Sequence, residues 1–285
     1  MKLFAIHEGF YEGVQTRIEL LNQVCQKLNI DFICMDSLST NYTDLPRLSK
    51  NDLLYKFASG AHVLESILLN EEVNTFYKIN PKTHFLQSTS EWSIIHDKAK
   101  LVSPKTIYEI TNDRVLLKAY VDYLGGFPLI IKSAVGSRGI GTIKIESWEN
   151  LISTVDYLVT TSKKFIIRQF IQADFGARII VLGNEIILSK KFLFQENDFR
   201  NAPILSATHY EPLEIDEATK QLCIEAVHLA NLEMAGVDLL FDKTSGKAYL
   251  LEINFPTGFQ SFMDDPQPVL SKMIQHLINK ANNNV

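Results

Sequence analysis

Three cysteines in 285 residues, Cys25, Cys34 and Cys223, are too few and too scattered to staple the chain. They form no CxxC pair and no Cys/His cluster, so the sequence gives no support to a disulfide scaffold or a zinc module, and buried free thiols are expected. A basic excess is lacking too. Lys and Arg number 28 against 33 Asp and Glu, a formal net charge of -5. That balance argues against a nucleic-acid partner, because little would neutralise a phosphate backbone, although a local basic pocket for one nucleotide stays open. No apolar run approaches a membrane span. The N-terminal "MKLFAIHEGF" turns polar too early for a signal peptide, so no membrane partner and a reducing, cytoplasmic location are expected. GxGxxG is absent, which leaves a Rossmann dinucleotide site unsupported. There is no internal repeat, low-complexity linker or long charge run. What remains is 46% apolar and 21% charged, enough to core one large domain or two to three small ones.

Hydrophobic periodicity lays out the elements. "LFAI" and "IDFICM" read as strands on either side of a helix whose apolar stripe is Val14, Ile18, Leu21, Val24, Cys25 and Leu28. This β-α-β opening predicts a small parallel sheet. Residues 52–69 read as helical, and 83–104 as mixed. "RVLLKAYVDYLGG" is a helix stopped by Gly125 and Gly126. The strand "FPLIIKSAV", a glycine loop and the strand "GTIKIE" follow, then a helix capped by Ser147, then the strand "KFIIRQFI". Gly183-Asn184 marks a hairpin inside "ARIIVLGNEIILSKKFL". A helix from Asp216 carries Leu222, Cys223, Ala226, Val227 and Ala230 on one face, a last hairpin runs from Ala235 to Phe255, and the tail "NKANNNV" is expected to fray.

The last hairpin carries chemistry. Its turn signal "KTSGK" centres on Ser245, which places Asp238 opposite Glu252 in a symmetric register. The strand period adds Asn254 to that face, together with Leu240 and Leu250. Opposed carboxylates on a partly apolar face repel each other, and a hard cation removes the conflict. Asp, Glu and Asn supply only oxygen ligands, which suits Mg2+ or Mn2+ shared with phosphates. A plain hairpin with solvated acids is the other reading. In "KSAVGSRGIGTIKI", Lys132 stands before Gly136, Gly139 and Gly141, not after them as in a Walker loop. Glycine backbone can approach a polyphosphate closely, with Lys132 as a fixed charge at the loop's root. A flexible connection with a surface lysine reads equally well from the loop alone.

The whole order resembles the ATP-grasp superfamily, in particular the RimK-type carboxylate–amine (peptide) ligases. "LPRLSKNDLLYKFASGAHVLESILL", "HDKAKLVSPKT", "FPLIIKSAVGSRGIGTIKI", "GARIIVLGNEIILSKKF", "NDFRN" and "AGVDLL…LLEINFPTGF" follow in that family's sequence. The resemblance implies an α/β (α+β) ATP-grasp fold: a pre-ATP-grasp α/β domain over 1–92, a small lid subdomain over 93–170, and a C-terminal mixed-sheet subdomain over 171–285 that binds metal and substrate. It implies that Lys98 and Lys132 contact the nucleotide. Ser133 to Gly141, with Gly136, Ser137, Arg138 and Gly139, is then the lid, and Gln169, Phe170 and Ile171 the adenine hinge. Asp238, Glu252 and Asn254 become the magnesium ligands. Arg178 faces the acyl-phosphate and substrate, and Arg200 with Asn201 lies near the phosphates. For Arg178 by itself, a structural ion pair with Glu185 or Asp174 is the other reading.

Two positions depart from the family. Gln169 stands where relatives usually have Glu, and Gly176 where they tend to have Asp, leaving Asp174 as a substitute ribose partner. "NAPILSATHYEP" also lacks the glycine pair of amino-acid-adding relatives. The resemblance implies an ATP- and magnesium-dependent ligase that phosphorylates a carboxylate and lets an amine attack the acyl-phosphate, releasing ADP and phosphate. Its partners are ATP, a carboxylate substrate and an amine, peptide or protein acceptor, with homo-oligomerisation left open. The alternatives are a phosphotransferase on the same scaffold, or a nucleotide-binding protein without ligase activity.

Overall fold

The computed structural model of the chain describes residues 1–10, 12–78, 89–133, 139–161, 164–194, 199, 210–259 and 262–283. Its first unit is the expected β-α-β opening: β1 (Lys2–His7), α1 (Glu12–Lys27) and β2 (Asp31–Asp36). A third strand, β3 (Asp52–Lys56), joins on the other side of β1, giving a parallel sheet of order β2-β1-β3. The helix expected over 52–69 is therefore wrong in its first half; only α2 (His62–Leu68) is helical. Leu53, Leu54, Tyr55 and Lys56 are buried in succession. A parallel strand covered on both faces shows no alternation to distinguish it from a helix. Cys25 and Cys223 are buried as expected, but Cys34 is exposed, because it lies on the edge strand β2.

The second unit is an antiparallel sheet of order β4 (Thr106–Ile107), β7 (Phe165–Gln169), β5 (Leu129–Ser133), β6 (Thr142–Ile145). One face packs on α4 (Arg114–Leu124) and α5 (Trp148–Leu158) through Leu117, Leu124, Leu129, Ile131, Leu151, Val155 and Ile167. Asp113 caps α4 by accepting from the N–H groups of Val115 and Leu116, and Gly125 ends it with φ +96°. Ser147 caps α5 by accepting from the Asn150 N–H. Strand alternation turns Lys132, Ile166 and Arg168 to the other face.

The third unit is a sheet of order β10 (Tyr210–Pro212), β9 (Glu185–Leu193), β8 (Ala173–Leu182), β11 (Met234–Asp242), β12 (Ala248–Asn254). A mixed sheet was expected here, but every ladder among the described residues is antiparallel, because the chain lays down two hairpins joined through α6 (Glu217–Leu229). One face packs on α6 through Ile179, Val181, Val227, Val237 and Leu239. α3 (Thr89–Lys98) lies beside β12 and α6, where the His96 ring nitrogen Nε2 is 2.9 Å from the Ala226 carbonyl. The opposite face packs Ile180, Leu182 and Met234 against Leu3, Leu21, Tyr55 and Phe76 of the first unit and against α7 (Gln267–Asn283). That final helix was not foreseen. It runs through most of the tail expected to fray, because Lys280 Nζ donates to the carbonyls of Thr75 and Tyr77 and to Glu233 at 2.8–3.1 Å. No helix among the described residues is long and apolar enough to cross a membrane.

Candidate functional site

Asp238 does stand opposite Glu252, and Gly236 opposite Asn254. The reason differs from the symmetric turn assumed from sequence. Next to the turn the pairs are Leu239↔Leu250, Leu240↔Tyr249 and Phe241↔Ala248, and a bulge between Asp238 and Leu239 leaves Leu251 unpaired. Without it, Asp238 would face Leu251, and Glu252 would point into the α6 core, since a one-residue slip reverses every side chain. The same bulge sends Leu250 into that core, 2% exposed, instead of onto the Glu252 face as expected.

Asp238 also pairs across the sheet with Arg178, and Arg178 with Lys190, so the row Lys190–Arg178–Asp238–Glu252 crosses four strands on one face. Arg178 grips Asp238 with its fork, Nε to Oδ1 at 2.5 Å and Nη2 to Oδ2 at 2.9 Å, and Nη1 donates to the Gly258 carbonyl at 3.1 Å. The structural partner of Arg178 is thus Asp238, not Glu185 or Asp174. Asn254 Nδ2 donates to Asp238 Oδ2 at 2.9 Å. From the second sheet, Lys132 Nζ reaches across to Glu252 Oε2 at 2.6 Å. Burial pushes the Asp238 carboxyl above its ordinary value; Arg178 pulls against this and Glu252 adds to it. Burial presses Glu252 upward as well, but Lys132, with Arg168 and Arg178 behind it, holds it below the ordinary carboxylate value.

The donor set fits a hard divalent cation. Two carboxylates and an amide converge on one face and offer oxygens only. Each carboxylate is balanced by a basic side chain, so the acids are held ready in place without a bound ion. Among the described residues no group of three His, Cys, Asp or Glu occurs, so Asn254 is needed to complete the set.

The remaining expected residues fall around this row. β5 and β6 form the hairpin beneath the glycine loop, and the Ser133 N–H donates to the Gly141 carbonyl at 3.0 Å. Gly139 and Gly141 have φ of +68° and +82°, which favours glycine at both. Gly136, Ser137, Arg138, Arg200 and Asn201 lie outside the described residues. The Gln169 N–H donates to the Lys105 carbonyl at 2.9 Å. The backbone of Phe170 and Ile171 lies beyond that strand, with Ile171 buried and the Phe170 ring 5.2 Å from Lys144 Nζ. Asp174 pairs with Lys243 at 2.9 Å, both well exposed. Lys98 ends α3 on the surface and makes no ion pair among the described residues.

The sequence reading missed Arg168 and the approach of Thr257 to Gly236. "FIIRQFI" carried the first signal, an arginine inside an apolar strand; no local signal marked the second. Thr257 is fully buried, and a Cβ on Gly236 would lie 2.2 Å from its Oγ1 and 3.2 Å from Arg178 Cδ. Gly236→Ala is therefore expected to lower stability by about 1–3 kcal/mol, as overpacking does. A urea titration checks this; an unchanged midpoint would show that Thr257 can move aside.

Comparison with known proteins matches residues 94–277 to the family model "RimK-like ATP-grasp domain". A relative from Haemophilus influenzae named probable alpha-L-glutamate ligase is 25% identical over 197 residues, covering 68% of this chain and 64% of its own length. Among solved structures, a Chryseobacterium gregarium RiPP-associated ATP-grasp ligase in complex with ADP and a leader and core peptide aligns with TM-score 0.73 at 14% identity, covering 98% of this chain and 97% of its own. The ATP-grasp ligase PsnB complexed with minimal precursor, Mg and ADP aligns with TM-score 0.69 at 15% identity, covering 96% and 98%.

Proposed function

Because the chain belongs to the RimK-like ATP-grasp family, we propose that it is an ATP- and magnesium-dependent ligase that joins a carboxylate to an amine. The observation that carries this reading is the Lys132–Glu252 contact, 2.6 Å across two sheets. It brings the lysine at the root of the glycine loop onto the strand bearing the oxygen ligands. We assign the units as a pre-ATP-grasp domain, a lid subdomain and a metal- and substrate-binding subdomain. Asp238, Glu252 and Asn254 hold Mg2+, with Mn2+ able to replace it. When bound, the ion draws off charge that builds on the phosphates during transfer.

The chain's own groups do the rest. Lys132, with Lys98, neutralises the nucleotide phosphates. The loop from Ser133 to Gly141 closes over ATP and excludes water, which would hydrolyse an acyl-phosphate. Phe170 and Ile171 take the adenine, with Gln169 fixing the strand before them and Asp174 on the ribose. Arg178 orients Asp238 and, with Arg200 and Asn201, faces the acyl-phosphate. Lys190, next in the row and without an ion pair among the described residues, is placed to take the substrate carboxylate. The relatives' name makes glutamate the first amine to test, and the peptides of the solved neighbours make a peptide the first acid.

The test incubates the protein with ATP, magnesium, a peptide library and each amino acid, following phosphate release and product mass. Amide formation that requires ATP, acid and amine together is the expected result. Phosphate transferred to an acceptor without amide, or nucleotide binding without turnover, would replace this reading with a phosphotransfer or binding role.

A further inference from the structure

Arg168 sits on β7 with 8% of its surface exposed, on the face of the second sheet that meets β12 of the third. A guanidinium in such a place is costly unless its donors are used. Nε donates to Thr106 Oγ1 at 3.0 Å, which fixes the plane of the fork from the neighbouring strand. Nη1 then donates to the Leu251 carbonyl of the facing sheet at 3.2 Å. Leu251 is the unpaired residue of the β12 bulge, the single feature that turns Glu252 and Asn254 onto the Asp238 face.

We infer that Arg168 is a positioning residue for the metal ligands: by holding the bulged Leu251 carbonyl it fixes the register that brings Glu252 and Asn254 to Asp238. This rests on the metal-dependent reading above and deepens it. Arg168 does not touch the reacting atoms. It acts one residue away through the backbone, as outer-shell partners of metal ligands do. Among the described residues β12 is the edge strand of its sheet, and no further ladder pins the bulge from outside. The Leu250 N–H donates to the Val102 carbonyl at 2.8 Å, which ties the residue before the bulge; Arg168 ties the bulged residue itself. The side chain also joins β7 to the strand bearing Glu252.

The experiment measures Mn2+ binding to the ADP complex of the full chain by electron paramagnetic resonance, alongside metal-free ADP binding and thermal melting. Arg168→Met is expected to weaken Mn2+ binding about 10- to 100-fold, the usual effect of losing such a partner. ADP binding in chelator should stay nearly unchanged. Arg168→Lys, which can still reach one carbonyl, should recover part of the loss. Thr106→Val, which frees the fork but leaves the arginine, should give a smaller loss in the same direction and serves if Arg168→Met does not fold. A lowered melting temperature with unchanged Mn2+ affinity would reduce Arg168 to a purely structural residue and overturn the inference. Glu252→Gln separates the two levels: if it also leaves Mn2+ affinity unchanged, the metal assignment itself fails, whereas if it alone weakens binding, only the role of Arg168 fails.

Discussion

Glu252→Gln should abolish magnesium-dependent ATP turnover, with a loss on the order of 10²–10³-fold or more, as for other preorganised charge-stabilising groups, and it should also weaken the fold. From sequence the stability effect had the opposite sign, because relief of repulsion between Asp238 and Glu252 would leave the metal-free protein as stable or more so. The structure reverses this. Glu252 is not an uncompensated acid: Lys132 lies 2.6 Å away, and Arg168 and Arg178 add to its stabilisation. Removing its charge leaves Lys132 and Arg178 with Asp238 as the carboxylate between them, and takes one acidic neighbour from Arg168. With both side chains of the Lys132–Glu252 pair about a quarter exposed, the loss should be at most about 1.5–3 kcal/mol, the range for a hydrogen bond to a charged group. The pH dependence follows from the lowered carboxyl. In the unfolded chain Glu252 titrates near its ordinary 4.5, and in the folded chain lower. Its contribution is in full force above 4.5 and is lost as pH falls through the folded value. Wild type and Glu252→Gln should thus differ at neutral pH and converge in acid, in urea titrations without metal. Retained turnover would remove Glu252 from the site; a stabilised variant would mean that Asp238 repulsion outweighs the Lys132 pair.

How much of this was legible beforehand depended on whether the deciding forces were local. Asp113, Ser147 and the Gly125 stop are short-range capping chemistry, and the helices they bound fall where the sequence put them. The hairpins at Gly183 and Ser245 were equally plain, and with them the Asp238–Glu252 pair. β3 was not, because burial on both faces erases the period that would have named it. Nor was the bulge: it is held by contacts from Val102 and Arg168, residues far away in sequence. The assumed register reached the right pair at Asp238 while misplacing Leu250, and only tertiary contacts could have told the two apart. Arg178 and Arg168 posed one question, an arginine in an apolar strand, and it was asked only of the first. The partner of Arg178 proved to be the acid already assigned to the metal, which changes what its replacement should do.

Arg178→Lys should cut acyl-phosphate formation sharply and loosen Asp238 together. Arginine fits this place by its geometry: Nε and Nη2 take both Asp238 oxygens while Nη1 holds the Gly258 carbonyl. Lysine keeps the charge but offers a single head, so it can hold one of these three acceptors well and leaves the others under-satisfied. Weakening a buried pair of this kind by replacing one partner should cost up to about 3–5 kcal/mol of stability. Its side chain also lies against the Phe262 ring, 5.3 Å from the centroid, a contact a lysine stem fills poorly. With hydroxylamine in place of the amine, an acyl-phosphate is trapped as a hydroxamate, which reports the first chemical step alone. The expected result is a hydroxamate yield reduced at least about 10²-fold, the scale of one lost transition-state contact, with ADP binding in chelator nearly unchanged. Mn2+ affinity then divides two routes to the same loss. If it falls in step with the yield, Arg178 works by aiming Asp238; if it holds while the yield falls, the guanidinium meets the transferring group directly. ADP binding in chelator that weakens as much as the yield would place Arg178 in the nucleotide site instead, and the substrate carboxylate would then have to be held from Lys190.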